Sequence, residues 1–312
     1  MEKRSTYIAG VLKSLIFGFS FLFTKRLLIN MSLLDLLSFR FLLAVAAFEV
    51  LRLTKVIKID LKNKNMKRIL LIVFIQPVGY YVFETLGLQR TSTLMSGILI
   101  SFMPLIVLLM EALILKEKTS FLQKVYLAVS IAGVLLITAL SGGGGGSSLL
   151  GIFFILLALI CEGFFSILTR GSSTMFTPME ITYCMMWASA VTFNAANIVW
   201  KAYTGNISQY FTPLLNTNNL FGFFYLGILC SCAGYLLYNY MLSRIQASTV
   251  SVFAGLTTMT TVAAGVIFNN ESFFWYHLTG GILILLGVWG TTRFTLSGEY
   301  LAEKPKDLAD IK

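Results

Sequence analysis

Long runs of apolar residues are the feature that most restricts how this chain can fold. Each of ten runs holds about 20 residues, the length that a helix needs to cross a hydrocarbon core about 30 Å thick. The runs lack strand-like alternation, so they are predicted to be helices, which satisfy their backbone hydrogen bonds internally. The sequence therefore predicts an all-α integral membrane protein with ten transmembrane helices. The runs are residues 7–24, 33–51, 68–88, 93–115, 125–140, 149–169, 178–201, 220–242, 247–268 and 273–292.

The composition excludes the common soluble classes of protein. Hydrophobic residues make up 57% of the 312 residues and charged residues only 12%, with a mean hydropathy of +0.81. Because a soluble domain carries about 25% charged residues, a soluble enzyme, a disordered chain and a nucleic-acid-binding domain are excluded. The four cysteines lie inside apolar runs without the spacing of a zinc site or a disulfide framework. We expect no metal and no cofactor.

The positions of Lys and Arg predict that both termini are cytoplasmic. The net charge is +10, and most basic residues lie in the gaps between runs. With the N-terminus inside, 18 Lys and Arg fall in inside segments and four in outside segments, while Lys13 and Arg40 fall within runs. Cytoplasmic loops carry an excess of basic residues. This count predicts an N-in, C-in, multi-pass protein of the plasma membrane, such as a bacterial inner membrane.

The two halves of the chain are related as a weak repeat. Lys25 and Arg170 end the first run of each half, and an acidic residue follows each after ten residues, Asp35 and Glu180. A second shared spacing, of 24 residues, separates Thr93 from Glu117 and Ala247 from Glu271. Each half has five runs, an odd number, so the second half would cross the membrane in the opposite sense. Inverted repeats of this kind suit alternating access around a central site.

The predicted organisation follows from this repeat. Residues 1–140 form the first five-helix repeat, and residues 149–296 form the second. Between them, residues 141–148 read SGGGGGSS, which is typical of a flexible linker. Residues 297–312 form a short charged cytoplasmic tail.

Several short motifs occur in a characteristic order along the chain. They are FGFSF at 17–21 followed by Lys25, FRFLLA at 39–44, GLQRTS at 87–92, Pro104 with Glu117, GYLLYNY at 234–240, and AS at 247–248. In this order the chain resembles the drug/metabolite transporter superfamily of the EamA type. The resemblance implies a ten-span secondary carrier, often an exporter of amino acids, drugs or other metabolites. It also implies a central cavity lined by spans one to four and six to nine. Glu162 departs from the family pattern, which usually has a small or apolar residue there.

Glu162 is the first candidate for substrate binding. It is the fourteenth residue of the sixth run, and an ionisable group at that depth is costly enough to require an explanation. It could bind a proton or a cationic substrate, or it could be a protonated, hydrogen-bonded structural residue.

Polar aromatic residues give two further candidate clusters. Tyr80, Tyr81 and Glu84 lie near one helix face, which suits an organic cation through charge and cation–π contact. The alternative is an interfacial tyrosine belt with a snorkelling carboxylate. In the eighth run the same helical spacing relates a second cluster, which either lines a shared cavity or packs across helices. That cluster is Tyr235, Tyr238 and Asn239.

Structural or gating roles are predicted for two residues. Arg40 matches a family arginine, and Asp35 and Glu180 are its candidate ion-pair partners. Pro104 can interrupt helical hydrogen bonds. Blander roles are predicted for Lys13, which would snorkel to the inner interface, and for the single histidine, His277, which would be exposed near the outer end of the tenth run.

These features predict a secondary active transporter that moves an amino acid, an organic cation or a similar small molecule by alternating access, as an exporter or exchanger. A channel or receptor without coupled transport is the alternative, and an enzyme is disfavoured because no catalytic motif is present. The predicted partners are the substrate and the lipid bilayer, with no nucleic acid. The chain is predicted to be a monomer or a homodimer. Small residues on runs five and ten permit close helix contact: Ala128, Ala132, Gly280 and Gly287.

Overall fold

The computed structural model describes residues 2–62, 64–115, 121–141 and 148–293, and helices account for most of them. Glu117, residues 142–147 of the predicted linker, and the predicted tail lie outside the described residues. No strand occurs in the described ranges, which agrees with the predicted all-α class. The α-helices are α1 Glu2–Leu27, α2 Leu33–Leu53, α3 Met66–Val73, α4 Tyr80–Arg90, α5 Thr93–Ile100, α6 Met103–Leu115, α7 Phe121–Ser141, α8 Leu149–Arg170, α9 Pro178–Tyr203, α10 Thr212–Leu215, α11 Thr217–Phe224, α12 Tyr235–Arg244, α13 Ala247–Ser251, α14 Ala254–Asn269 and α15 Trp275–Arg293.

Six helical segments of the described chain are long and apolar enough to cross a membrane. They are Arg4–Leu27, Met66–Arg90, Thr93–Glu111, Leu149–Arg170, Thr217–Arg244 and Ala247–Asn269. Large apolar side chains are exposed on the outer surface, among them Phe74, Val199 and Met259. Exposure of this extent suits contact with lipid rather than water. The chain is therefore a multi-pass membrane protein.

Side-chain caps explain where several helices begin. The Ser32 hydroxyl accepts a hydrogen bond from the Asp35 backbone N–H at the start of α2. Thr177 and Glu180 form a reciprocal capping box at the start of α9. At the start of α8, the Ser148 hydroxyl accepts a hydrogen bond from the Gly151 backbone N–H, as Ser32 does for α2. Such caps satisfy backbone donors that a helix leaves unpaired at its first turn.

Four of the predicted runs are interrupted rather than continuous. Between α3 and α4, residues Phe74–Gly79 form wide helical turns, and Gln76 has an extended backbone (φ −143°, ψ 126°). Pro77 follows directly and has no N–H for the helical ladder. Residues Tyr225–Gly234 form similar wide turns between α11 and α12. The other two interruptions separate α5 from α6 and α13 from α14.

Helices α7 and α15 pack closely against each other through glycine. A Cβ atom added at Gly280 would lie 2.9 Å from the Gly133 carbonyl oxygen, and one at Gly287 would lie 2.6 Å from the Ser130 backbone nitrogen. Two of the small residues considered for a dimer, Gly280 and Gly287, are thus used for packing within the chain.

His277 is not exposed as predicted. Only 8% of its surface is accessible, and its Nδ1 accepts a hydrogen bond from the Phe274 N–H at the start of α15. The prediction was wrong because this side chain folds back onto its own helix terminus instead of pointing outward.

Candidate functional site

A small polar cavity lies at the centre of the helix bundle, where α1, α4, α8 and α12 meet. Its volume is about 30 Å³, which leaves room for only about two water molecules. Drug-sized ligands occupy pockets of roughly 300–1,000 Å³, so this conformation, called the closed state below, has no room for such a ligand. The polar side chains lining it are Lys13, Ser20, Gln76, Tyr80, Tyr81, Glu84, Glu162, Tyr235, Tyr238, Ser251 and Thr257.

Six of the seven residues predicted to bind substrate line this one cavity. They are Tyr80, Tyr81, Glu84, Glu162, Tyr235 and Tyr238. Tyr80 and Tyr81 are at most 7% exposed, so they do not form an interfacial belt, and that alternative is wrong. That these residues bind substrate remains a prediction.

Asn239 is the seventh predicted residue, and it points away from the cavity. Its amide nitrogen donates to the Thr182 hydroxyl of α9 at 2.9 Å and lies 3.6 Å from the Met185 sulfur. Neighbouring positions on a helix are about 100° apart. Asn239 therefore faces α9 while the adjacent Tyr238 faces the cavity.

Glu162 lies in the middle of α8 and faces the cavity. The Tyr238 hydroxyl interacts with its carboxylate, and Lys13 is close enough to interact with it through charge. Ser166, one turn along the same helix, lies 2.6 Å from the Tyr238 hydroxyl. Glu162 therefore belongs to a polar group that joins α8 to α12 and α1.

Lys13 does not snorkel to the membrane interface, and that prediction was wrong. It lies in the middle of α1, is only 5% exposed and lines the cavity. Its ammonium nitrogen lies 4.5 Å from the centre of the Tyr238 ring and 5.3 Å from that of Phe17. Its side chain points into the cavity between the helices rather than toward the end of α1.

Glu84 and Gln76 also line the cavity. Glu84 is 2% exposed, and one of its carboxylate oxygens has no hydrogen-bonding partner among the described residues. The Gln76 amide nitrogen donates to the Tyr235 hydroxyl at 2.6 Å, while its amide oxygen is unpartnered within the same part of the chain. The unpaired oxygens are positions where a ligand with donor groups could bind.

Arg40 is not among the residues that line the cavity, and it does not pair with either predicted acid. Its guanidinium donates to the Tyr81 hydroxyl at 2.7 Å and to the Ser231 hydroxyl at 3.0 Å, and it stacks 4.1 Å from the Tyr81 ring centre. Asp35 and Glu180 lie in the first turns of their helices and form ion pairs with lysines instead. Arg40 therefore fixes Tyr81, a cavity residue.

The two acids instead form ion pairs at opposite ends of α2 and α9. Asp35, at the start of α2, lies 3.0 Å from Lys201 near the end of α9. Glu180, at the start of α9, lies 2.6 Å from Lys64 in the segment after α2. The two helices are thus antiparallel and are joined by charge at both ends.

Pro104 lies in the first turn of α6, after the break that follows α5. A proline in a first turn removes no helical hydrogen bond. Pro104 is buried and does not line the cavity.

Lys13 and Gln76 line the cavity, although neither was predicted to bind substrate. Each carried a signal: Lys13 interrupts an apolar run, and Gln76 is a polar residue directly before a proline within another run. In the described ranges no group of three or more His, Cys, Asp and Glu could hold a metal ion.

Comparison with known proteins gives consistent matches along the chain. The model of the EamA-like transporter family matches residues 4–139 and 149–293. A Bacillus subtilis protein named uncharacterized transporter YcxC is 34% identical over 291 residues, which is 93% of each chain. An uncharacterized transporter of Archaeoglobus fulgidus is 23% identical over 278 residues, covering 88% of this chain and 94% of that protein.

A solved structure shares the fold. A protein chain known from a crystal structure aligns over 93% of this chain and 97% of its own, with a TM-score of 0.60. At 14% sequence identity, this similarity concerns the fold alone.

Proposed function

We propose a mechanism and a substrate class for this chain on the premise that it belongs to the EamA-like transporter family. Membrane transport is the function that this membership and the relatives named as transporters support. Within that function, we infer a secondary carrier of the plasma membrane that works by alternating access as an exporter or exchanger.

The proposed architecture is ten transmembrane helices in two inverted repeats. The interrupted pairs α3–α4, α5–α6, α11–α12 and α13–α14 each count as one crossing, and α10 is too short to count. The family model matches the chain twice, once in each half. The packing is also repeated: α4 packs on α8 as α12 packs on α1, and α2 packs on its own counterpart, α9.

The basic residues matched in the sequence make equivalent contacts, which supports the repeat. Lys25, at the end of α1, donates to the carbonyl oxygens of Leu88 and Thr91 at the end of α4. Arg170, at the end of α8, donates to the Leu242 carbonyl oxygen near the end of α12. In each half, a basic residue at the end of the first span thus caps the carboxyl end of the third span, which is α4 in the first half and α12 in the second.

The closed cavity and the paired helix ends support alternating access. A ligand larger than a few waters cannot occupy about 30 Å³, so substrate must enter after the helices separate on one side. The Asp35–Lys201 and Glu180–Lys64 pairs join the two halves at opposite ends of α2 and α9. Opening each end in turn would require each ion pair to break in turn.

The observation that carries the substrate class is the pair of carboxylates in the cavity. Glu84 and Glu162 line it together with four tyrosines, and aromatic faces and carboxylates both attract organic cations. We propose that the substrate is a small molecule with a cationic nitrogen, either an amino acid or an organic cation.

Ligand screening followed by counterflow tests this proposal. A cationic amine or amino acid that binds the folded protein should raise its melting temperature. In proteoliposomes loaded with that ligand, external labelled ligand should be taken up faster than in empty vesicles, because a carrier exchanges. Glu84→Gln should weaken uptake, whereas Glu49→Gln, which removes a carboxylate outside the cavity, should not. Equal rates with and without internal ligand would instead indicate a channel.

A further inference from the structure

We propose that Phe17, Tyr238 and Glu162 form a binding site for a primary ammonium group, and that the Lys13 side chain occupies this site in the closed state. Lys13 would act as a tethered cation that substrate must displace. This inference deepens the proposed function and rests on it for the identity of the cavity as the transport site.

The aromatic geometry is suited to an ammonium ion. The Phe17 and Tyr238 rings are 6.4 Å apart between centres and nearly perpendicular, at 81°. The Lys13 ammonium lies within 5.3 Å of both ring centres. A cation near aromatic rings at this distance is attracted by their quadrupoles, most strongly where water is excluded.

The charge of the site is also suited to an ammonium ion. Glu162 faces the cavity and interacts with Lys13 through charge, and Tyr238 connects the two residues. The other charged groups nearby are Glu84, which lines the cavity, and Arg40, which lies behind Tyr81. The wall nearest to Lys13 therefore presents a carboxylate and two aromatic rings.

Lys13 satisfies this site only in part. An ammonium group has three donors, yet the Lys13 ammonium makes no hydrogen bond and no direct ion pair within the part of the chain that the structure describes. Lys25 shows the contrast, since its ammonium donates to two carbonyl oxygens. A buried ammonium normally requires such partners. The ammonium of a free ligand is not restricted by a tether to α1 and could approach Glu162 directly.

This arrangement has a consequence for the transport cycle. When substrate leaves, Glu162 would otherwise remain as an uncompensated charge in a closed cavity, which is unfavourable. The return of Lys13 to the site would compensate that charge. The empty carrier could then pass through the closed state without a second substrate.

Chemical rescue of a truncated lysine tests the site directly. In purified full-length protein, Lys13→Ala removes the atoms that n-propylammonium can replace. We expect n-propylammonium to raise the melting temperature of this variant saturably, by about 3 °C. Wild type should respond much less, because n-propylammonium must compete there with the tethered lysine. Neutral n-propanol should not stabilise the variant.

Matched variants make the result specific. Lys58→Ala removes a lysine that is exposed and far from the cavity, and it should show no rescue. Adding Glu162→Gln to Lys13→Ala should abolish the rescue. If Lys13→Ala does not fold, Lys13→Met keeps the stem as far as the Cε position and removes only the ammonium nitrogen. The ammonium ion, added as its chloride and compared with sodium chloride, should then stabilise that variant. Equal stabilisation of wild type, or no stabilisation of either Lys13 variant, would overturn the proposal. Rescue without any counterflow would refute the proposed carrier mechanism and leave the ammonium site standing, whereas counterflow without rescue would refute this inference alone.

Discussion

Arg40 illustrates how a buried charge can be held without a direct ion pair. It is only 1% exposed, and two hydroxyls and an aromatic face surround its guanidinium. Removing one partner of a buried charge is strongly destabilising. The family motif FRFLLA identified the residue, but its partners, Tyr81 and Ser231, are 41 and 191 residues away in the sequence.

At the residue scale, the first prediction concerns Glu162→Gln. We expect the variant to fold, because the amide keeps the size and most of the hydrogen-bonding capacity of the acid. Transport should lose its dependence on pH, because residue 162 can no longer gain or lose a proton. Uptake into proteoliposomes across a pH series measures this. Identical pH profiles for wild type and variant would assign Glu162 a structural role. The control is Glu49→Gln, which removes a carboxylate outside the cavity and should keep the wild-type pH profile.

At the scale of elements, the interrupted helices lie next to the cavity. The wide turns at Phe74–Gly79 bring the Gln76 side chain inward, and those at Tyr225–Gly234 lead directly into Tyr235. Wide turns of this kind often occur at functional sites. The interruptions fall in the third and fourth runs of each half, whereas α7 and α15 are continuous and pack chiefly against each other.

A second prediction concerns the contact between α7 and α15. Gly287→Ala would place a methyl group 2.6 Å from the Ser130 backbone nitrogen and 2.7 Å from the Tyr126 carbonyl oxygen. Backbone atoms cannot move aside easily, so we expect a loss of about 1–3 kcal/mol in the free energy of unfolding.

Gly281→Ala is the matched control in the same helix. A methyl group there would meet nothing within 4 Å, and alanine favours helix over glycine by about 0.5–1 kcal/mol. Denaturation of both variants in the same detergent gives the comparison. An equal effect of the two substitutions would show that this helix pair is not tightly packed in solution.

At the scale of the whole molecule, the third prediction concerns topology. The distribution of Lys and Arg predicts that Lys58 is cytoplasmic and that Asn206 faces outside. In a background without the four native cysteines, an impermeant thiol reagent added to intact cells should label Asn206→Cys and spare Lys58→Cys. Labelling of residue 58 from outside would contradict the N-in arrangement.

The sequence by itself determined the class of fold and the family. Apolar runs and capping residues act over a few neighbouring residues, so they can be interpreted before anything is known of packing. For this reason the described helices lie close to the predicted runs. The same local reasoning selected Glu84, Glu162 and four tyrosines, because polar groups in an apolar run are conspicuous.

Only the tertiary structure decided which of these side chains meet. A helix that is apolar on nearly all sides gives no periodic signal for the face that lies inward, so the sequence did not show that Asn239 faces α9 or that Lys13 faces the cavity. Lys13 and Tyr238 are 225 positions apart in the chain, and the packing of α1 against α12 brings them together. Contacts between distant helices depend on how whole surfaces fit together, and no short stretch of sequence contains that information.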